Sequence, residues 1–282
     1  MAAQVIANSI VLGLTLALMA IGLTLIYGIL LVVNFAHGEL YMLGAVFLFY
    51  IMDSVHIGYV LASILSILAV AIIGLILERY VFHRFHGDLI GGCIAAIALS
   101  LGIESIVWVV FGPRTHTVPA PVSGTVHIFG AVISNERLLI AIVSIVTISV
   151  LAWFIKYAKL GKAMRAVSED REAAKVQGIP ANKISALAFA IAAGLAGLAG
   201  ALVAPDAFVN PAMGSMPLTF AFIVVIIGGM GSVMGSFLAS LIIGFQQNLT
   251  ALWWGSQYAV AVAFLLAMVM LMLRPKGLMG HD

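Results

Sequence analysis

Charged residues are scarce in this sequence. Asp, Glu, Lys and Arg make up only 9% of its 282 residues, against about 25% in soluble domains. No charged residue precedes Glu39, and none occurs between residues 207 and 273. These tracts are longer than the roughly 20 apolar residues that cross a bilayer as a helix. The composition therefore excludes a soluble enzyme, a nucleic-acid-binding protein and a disordered scaffold, and it makes lipid the solvent for much of the chain.

Several chemical motifs are also missing. The single cysteine, Cys93, excludes an intramolecular disulfide and a cysteine-based metal cluster. The chain has no Gly-x-x-x-x-Gly-Lys-Ser/Thr phosphate loop, no Gly-x-Ser-x-Gly elbow and no His-Glu-x-x-His zinc motif. We therefore expect a non-catalytic chain that does not hydrolyse ATP by itself and holds no metal or cofactor of its own.

What the sequence does contain is a series of apolar segments, since 63% of its residues are hydrophobic. A helix can cross lipid because it satisfies its own backbone hydrogen bonds. The pattern predicts an all-α integral membrane protein with about eight transmembrane helices, forming one domain over residues 1–282. The apolar segments fall at about residues 5–33, 36–52, 57–77, 89–111, 137–155, 185–204, 217–250 and 257–273.

The basic residues are unevenly distributed between the loops. Eleven of the 13 Lys and Arg fall in residues 78–88, 156–184 and 274–276, whereas the long loop 112–137 holds two. Because Lys and Arg accumulate on the cytoplasmic side of a membrane, the first three regions are predicted to be cytoplasmic. Parity along the chain then places the N-terminus outside.

Two apolar segments contain polar residues or glycines in mid-tract. One interruption runs from Val33 to Leu40, and the other runs from Ile227 to Val233. Non-helical backbone at membrane depth is tolerated where it is buried in protein or lines a wet cavity. A matched pair of interrupted segments in two halves of a chain indicates a transport pathway. The second half is therefore interpreted as a possible diverged repeat of the first.

The first interruption carries the residues Asn34, His37 and Glu39 in a tract otherwise free of charge. An acid inside the membrane is a candidate for a functional role. The structural alternative is that Asn34 caps a helix start and that Glu39 lies near the positive end of the helix dipole. Both interpretations hold together if a half-helix begins here, because a helix N-terminus is itself an anion site.

Residues 156–184 form a charged region between two apolar segments, with ten charged residues in 29. Ser168 or Asp170 can begin a short helix, Gly178 suits its C-terminal end, and Pro180 prevents its continuation. A helix lying on lipid headgroups is one alternative, but this segment lacks the large apolar side chains that such binding needs. The sequence favours a cytoplasmic coupling region that docks on another protein.

The triplet Asn210-Pro211-Ala212 raises the alternative of a water channel, because paired Asn-Pro-Ala triplets are typical of that class of protein. Its possible twin, Asn34-Phe35-Ala36, lacks the proline and lies 176 residues earlier. This separation and the basic region 156–184 do not fit a six-helix channel. The sequence therefore favours another kind of transport protein.

Three motifs, taken in order, resemble those of a known family. They are the string Asn34–Glu39, the spaced residues from Gly161 to Ile179, and the string Gly228–Gly235. They are similar to motifs in the permease subunits of bacterial branched-chain amino acid ABC transporters, of the LivH type. The resemblance runs from about Ile6 to Gly277, with a departure at Ala239-Ser240, where the family commonly has glycines.

The resemblance implies roles for two sets of residues. The ATPase-coupling set is Gly161, Arg165, Ala166, Asp170, Ala173 and Gly178. The translocation-pathway set, which also rests on the interruptions, is Asn34, His37, Gly38, Glu39, Gly228, Gly229, Gly231 and Ser232.

The resemblance also implies a permease in the bacterial inner membrane that works within a larger importer. Its partners would be a second related permease, two cytoplasmic ATP-binding subunits that bind ATP and Mg²⁺, and a periplasmic substrate-binding protein. The substrate would be a branched-chain amino acid or a related solute. The alternative from another class is a stand-alone channel or secondary transporter for small polar solutes.

Overall fold

The computed structural model describes residues 2–128 and 130–280, and nearly all of its regular structure is helical. A two-stranded antiparallel hairpin lies between the fourth and fifth helices, and short 3₁₀ turns cover Phe82–Phe85 and Ser256–Tyr258. The helices are α1 Ala2–Leu30, α2 His37–Val55, α3 Tyr59–Tyr80, α4 Leu89–Phe111, α5 Asn135–Tyr157, α6 Lys159–Glu169, α7 Arg171–Val176, α8 Ala181–Val203, α9 Ser215–Gly228, α10 Val233–Trp253 and α11 Ala259–Leu273, and the strands are β1 Thr125–Ile128 and β2 Ala131–Ser134.

The helices follow the predicted apolar segments closely. Within the described residues, seven helices are long and apolar enough to cross a membrane. The predicted segment 217–250 is two helices, because α9 ends at Gly228 and α10 begins at Val233. The prediction of a helical membrane protein with about eight transmembrane helices is therefore confirmed to a good approximation, and the hairpin is a small addition to it.

The three basic regions lie together at one end of the helix bundle, which we call the basic end. A cavity there is lined by residues from the end of α1, from the turn after α3 and from the middle of the charged region, including Leu30, His86 and Glu169. The C-terminal tail reaches the same end, where the amide of Leu278 donates to the carbonyl of Ile227 at 2.8 Å. This grouping matches the prediction that the three regions share one side of the membrane.

The start of α1 lies at the other end, which we call the opposite end. The Gln4 side chain donates to the carbonyl of Val132 in the hairpin at 2.9 Å and accepts from the amide of the same residue at 2.8 Å. Arg137 at the start of α5 forms an ion pair with Asp206 after α8 at 3.1 Å. Residues 112–137 and the start of α1 therefore share this end, as the distribution of basic residues predicts.

The helices are related by an inverted internal repeat. In the first half α1 is followed by a break and then by α2, α3 and α4, and in the second half α8 is followed by a break and then by α9, α10 and α11. The helix α1 packs on α9 and α10, and α8 packs on α2 and α3. The first helix of each half therefore packs within the other half. Because α1 and α8 run in opposite directions, the repeat is inverted. Such inverted repeats are a common architecture of transporters.

Candidate functional site

The first break returns the chain from the basic end into the interior of the bundle. Leu31 adopts a left-handed conformation with φ of 55° and reverses the chain after α1. Six residues later the Nε2 atom of His37 lies 3.1 Å from the carbonyl oxygen of Met19. Met19 precedes Leu30 by eleven residues, which corresponds to about 16 Å along α1. The helix α2 therefore begins at mid-depth, and the non-helical stretch 31–36 occupies the rest of that crossing.

The second break enters from the other side. Val209 pairs with His116 at the opposite end of the bundle through amide–carbonyl bonds of 2.9 and 3.0 Å. Five residues later the backbone of Gly214 lies against the backbone of Gly38. The helix α9 therefore also begins at mid-depth, and the N-termini of α2 and α9 meet there.

The two breaks have the same local structure. Asn34 Oδ1 accepts from the amide of Ala36 at 3.1 Å, and Asn210 Oδ1 accepts from the amide of Ala212 at 3.0 Å. The carbonyl of each asparagine also accepts from the amide three residues on, at 3.2 Å in both cases. An Asn side chain that bonds its own backbone two residues on forms a turn that leads into a helix. The twin triplets seen in the sequence are thus the equivalent points of the inverted repeat.

Polar side chains are buried where α2 begins. Asn34 and His37 are fully buried, and Glu39 is 6% exposed. The hydroxyl of Ser100 on α4 donates to Glu39 Oε1 at 3.0 Å. Within the described residues, Asn34 Nδ2, His37 Nδ1 and Glu39 Oε2 have no hydrogen-bond partner. Because an unpaired polar atom in an apolar interior is costly, these atoms are suited to bind a polar solute or water.

Glu104 lies one turn along α4 from Ser100 and on the same face of that helix. Its Oε1 atom accepts from the indole nitrogen of Trp108 at 3.3 Å, which is a bond within one helix. Two carboxyl groups, those of Glu39 and Glu104, therefore lie on the same side of the bundle.

The glycine-rich interruption Gly228–Ser232 lies elsewhere, in the turn between α9 and α10 at the basic end. A Cβ atom on Gly28 of α1 would lie 3.5 Å from the Cα of Gly231. Gly28 follows Met19 by nine residues, so this turn lies about 14 Å along α1 from the level of His37. The structure does not bring Gly228, Gly229, Gly231 and Ser232 next to the residues at the start of α2. Their role in a pathway stays a prediction.

The coupling region folds as two short helices, α6 and α7. Asp170 begins α7, because its Oδ1 accepts from the amides of Glu172 and Ala173 at 2.9 Å each. At the other end the amide of Gly178 donates to the carbonyl of Lys175 at 2.9 Å, and the amide of Ile179 donates to the carbonyl of Ala174 at 3.0 Å. Gly178 has φ of 80°, as this helix termination requires. The predicted helix start and end are both confirmed.

The six predicted coupling residues do not share one surface. Gly161 is buried, because a Cβ atom there would lie 2.6 Å from the Cα of Ile155 on α5. Ala166 is half-buried, whereas the other four are exposed, namely Arg165, Asp170, Ala173 and Gly178. Val176, outside this set of six, is 86% exposed and adds an apolar side chain to this surface, whereas the neighbouring Ala174 is buried. Ala173 and Val176 are three residues apart and therefore lie on one face of α7.

Arg171 fixes α7 to the membrane helices. Its guanidinium donates to Ser185 Oγ and to Asn182 Oδ1 on α8, at 2.8 Å each. Burial lowers the pKa of Arg171 from its ordinary value, and the nearby Glu78 and Glu172 carboxylates oppose that shift. These two hydrogen bonds therefore join α7 to α8.

The inverted repeat, the two half-helices and the anchored charged region define a multi-pass membrane transport protein. Residues 5–273 match the family described as "Branched-chain amino acid transport system / permease component". The chain is 33% identical over 294 residues to the high-affinity branched-chain amino acid transport system permease protein BraD of Pseudomonas aeruginosa, with 99% of this chain and 95% of the relative covered. It is 32% identical over 289 residues to the corresponding protein LivH of Escherichia coli, with 97% and 94% covered. The chain therefore belongs to this permease family.

Two further comparisons extend this result. Over 122 residues the chain is 32% identical to the permease protein LivM of Escherichia coli, with 43% of this chain and 28% of LivM covered. Among solved structures, PsaBC of Streptococcus pneumoniae in complex with Fab has the same fold, with a TM-score of 0.52, 13% identity, and 95% of this chain and 91% of that chain covered. Membership makes this chain a membrane subunit of a multi-component transport system and not a catalytic subunit. The resemblance in the sequence is thereby confirmed.

Proposed function

We propose that this chain is a pathway-forming permease of an ATP-driven importer for branched-chain amino acids in the bacterial inner membrane. The names of its relatives, which are high-affinity branched-chain amino acid permeases, support the substrate class. The partial likeness to LivM supports a second, related permease as a partner. Two cytoplasmic ATP-binding subunits would hold ATP and Mg²⁺, and a periplasmic binding protein would deliver the substrate.

The observation that carries this proposal over a stand-alone transporter is the exposed helix α7, which Arg171 joins to α8 by hydrogen bonds. A channel or secondary transporter has no need for a surface element at the basic end that is anchored to a membrane helix. Here Ala173 and Val176 are exposed on a helix that Arg171 fixes to α8. An ATP-binding subunit with a complementary groove could dock on this face and move α8 when it closes.

The interior site at the N-termini of α2 and α9 is the proposed substrate passage. An amino acid carries a carboxylate and an ammonium group, and both need partners inside the membrane. The two helix N-termini have positive dipole ends that favour a carboxylate. Glu39 Oε2, which is unpartnered within the described residues, can accept from an ammonium group. The residues proposed for this passage are Asn34, His37, Gly38 and Glu39.

The glycine-rich turn between α9 and α10 is proposed as the exit end of the passage. Gly228, Gly229, Gly231 and Ser232 lie at the basic end, and this end is predicted to face the cytoplasm. Gly229 and Gly231 have φ of 100° and 90°, so the turn has a backbone that other residues rarely adopt.

The experiment that tests the proposal is uptake of radiolabelled leucine by vesicles that contain the complex reconstituted with its binding protein. We expect uptake to require ATP inside the vesicle and to persist when ion gradients are collapsed. The chain should also bring ATP-binding subunits with it on purification in mild detergent. Uptake that depends on an ion gradient and does not require ATP would contradict the proposal and identify a secondary transporter.

A further inference from the structure

A cluster of metal-binding side chains lies at the basic end, outside the interior site. Glu78 is in the last turn of α3, and His83 and His86 follow in the 3₁₀ turn and at its end. One ligand atom from each of the three lies within 4.8 Å of the others. Glu78 Oε1 lies 3.4 Å from His86 Nε2 and 3.9 Å from His83 Nδ1.

The cluster has unsatisfied binding capacity. The Glu78 side chain is 2% exposed and that of His86 is 14% exposed. Within the described part of the chain, Glu78 Oε1 and both ring nitrogens of His86 have no hydrogen-bond partner. Arg171 interacts with the charge of Glu78, but its guanidinium hydrogen-bonds Ser185 and Asn182 instead. A buried carboxylate beside two imidazoles, with lone pairs unused, is a donor set for a cation.

The geometry fits a small divalent ion. In a tetrahedral zinc site with ligand bonds of about 2.0–2.1 Å, neighbouring donor atoms lie about 3.4 Å apart. The pair formed by Glu78 and His86 already has this spacing, at 3.4 Å. His83 Nδ1 lies 3.9 Å from Glu78 Oε1, and because its side chain is 42% exposed, a small rotation of the ring would bring it to the same spacing. Two imidazoles and one carboxylate are ligands that zinc prefers, and they leave one position open.

We propose that Glu78, His83 and His86 bind a divalent transition-metal ion of the Zn²⁺ type. The ion joins the end of α3 to the turn that follows it. His83 and His86 also line a cavity of about 580 Å³, whose other walls include Val167, Ser168 and Glu172 of the coupling region. Bound metal therefore stabilises the surface beside α6 and α7.

The test uses Co²⁺ as a spectroscopic substitute for Zn²⁺, with the full-length chain in lipid nanodiscs and a purification tag free of histidine. We expect one Co²⁺ per chain, the visible absorption of a four-coordinate ion, and a higher unfolding temperature with metal. Zn²⁺ should displace the Co²⁺ and remove the absorption. The double variant His83→Gln/His86→Gln should lose both the absorption and the stabilisation by metal.

Two further variants make the result specific. His127→Gln is the matched control, because His127 is exposed in the hairpin at the opposite end, and it should bind Co²⁺ as the unaltered chain does. If the double variant prevents insertion, His83→Gln alone keeps the test informative, since the His83 side chain is partly exposed. Equal Co²⁺ binding and equal spectra in the unaltered chain and in the double variant would overturn the proposal. Absence of Co²⁺ binding to the unaltered chain would overturn it as well.

Discussion

Gly38 and Gly214 lie backbone to backbone, where the half-helices α2 and α9 begin. A Cβ atom on Gly38 would lie 2.8 Å from the carbonyl oxygen of Gly214, and a Cβ atom on Gly214 would collide with the carbonyl of Gly38. Each glycine follows the asparagine of its own break by four residues. The contact therefore joins equivalent points of the inverted repeat.

The first prediction tests this contact. Gly38→Ala should destabilise the protein by about 1–3 kcal/mol, because the added methyl group forces two backbones apart. Gly214→Ala should have an effect of similar size. Gly102→Ala in α4 is the control, since no atom lies within 4 Å of its added Cβ. Thermal unfolding in detergent measures all three, and equal melting temperatures for Gly38→Ala and Gly102→Ala would contradict the close approach.

The second prediction concerns coupling. Ala173 is exposed on α7, so Ala173→Arg should fold normally but place a bulky charge on the proposed docking face. We expect the variant to insert at the usual level and to lose the ATP-binding subunits on purification. Ala120→Arg is the matched control, because Ala120 is also exposed but belongs to the loop at the opposite end. Retention of the ATP-binding subunits by Ala173→Arg would show that they do not dock on this face of α7.

The third prediction concerns topology. In a Cys93→Ala background, cysteines at Ser123 and Ser168 should label from opposite sides of the membrane, because both positions are exposed at different ends of the bundle. An impermeant thiol reagent should react with Ser123→Cys in intact cells, and with Ser168→Cys only after permeabilisation. Reaction of both variants in intact cells would refute the predicted sidedness.

The fourth prediction concerns the turn between α9 and α10. Gly229 has φ of 100°, and a Cβ atom there would lie 2.6 Å from the amide nitrogen of Gly280. Gly229→Ala should therefore cost about 1–3 kcal/mol in backbone strain and also displace the C-terminal tail. Trypsin should then cleave after Lys276 faster, as followed by mass spectrometry of the chain.

Gly231→Ala is the control for that experiment. Gly231 also has a positive φ, of 90°, but the nearest atom to its added Cβ is 3.8 Å away. It should share the strain without exposing the tail. If Gly231→Ala accelerates cleavage as much as Gly229→Ala does, the contact between Gly229 and Gly280 does not hold the tail.

Much of the architecture could be predicted from the sequence, because long apolar runs predict membrane helices. The ends of α7 were also predictable, since Asp170 and Gly178 act through bonds to neighbouring residues. The break at Gly228–Ser232 is predictable for the same local reason. In each case the information lies within a few residues of the element that it determines.

The depth of a break could not be predicted in this way. The stretch before α9 contains Asp206, Asn210 and Pro211, which is the composition of an ordinary surface loop. This stretch runs from the opposite end to mid-depth at Gly214. That depth depends on α9 packing against α1 and on Gly214 meeting Gly38, and these residues are far apart in the sequence. The similarity of the two asparagine triplets was the available signal. The glycines at Gly228–Ser232 are the more conspicuous interruption in the sequence, although the equivalent of the first break is at Asn210.

The last prediction concerns Glu39, which has both a structural and a functional interpretation. Glu39 lies in the first turn of α2, and its Oε1 accepts from Ser100 at 3.0 Å. Glu39→Gln keeps the size of the side chain and its Oε1 acceptor, so the stability loss should be limited to the charge–dipole contribution of about 0.3–1 kcal/mol. If Oε2 meets the ammonium group of the substrate, leucine uptake per assembled complex should fall several-fold. Asp53→Asn is the control, because Asp53 is an exposed acid at the far end of the same helix and should leave uptake unchanged. Uptake by Glu39→Gln equal to that of Asp53→Asn, at equal protein levels, would limit Glu39 to completing the start of α2.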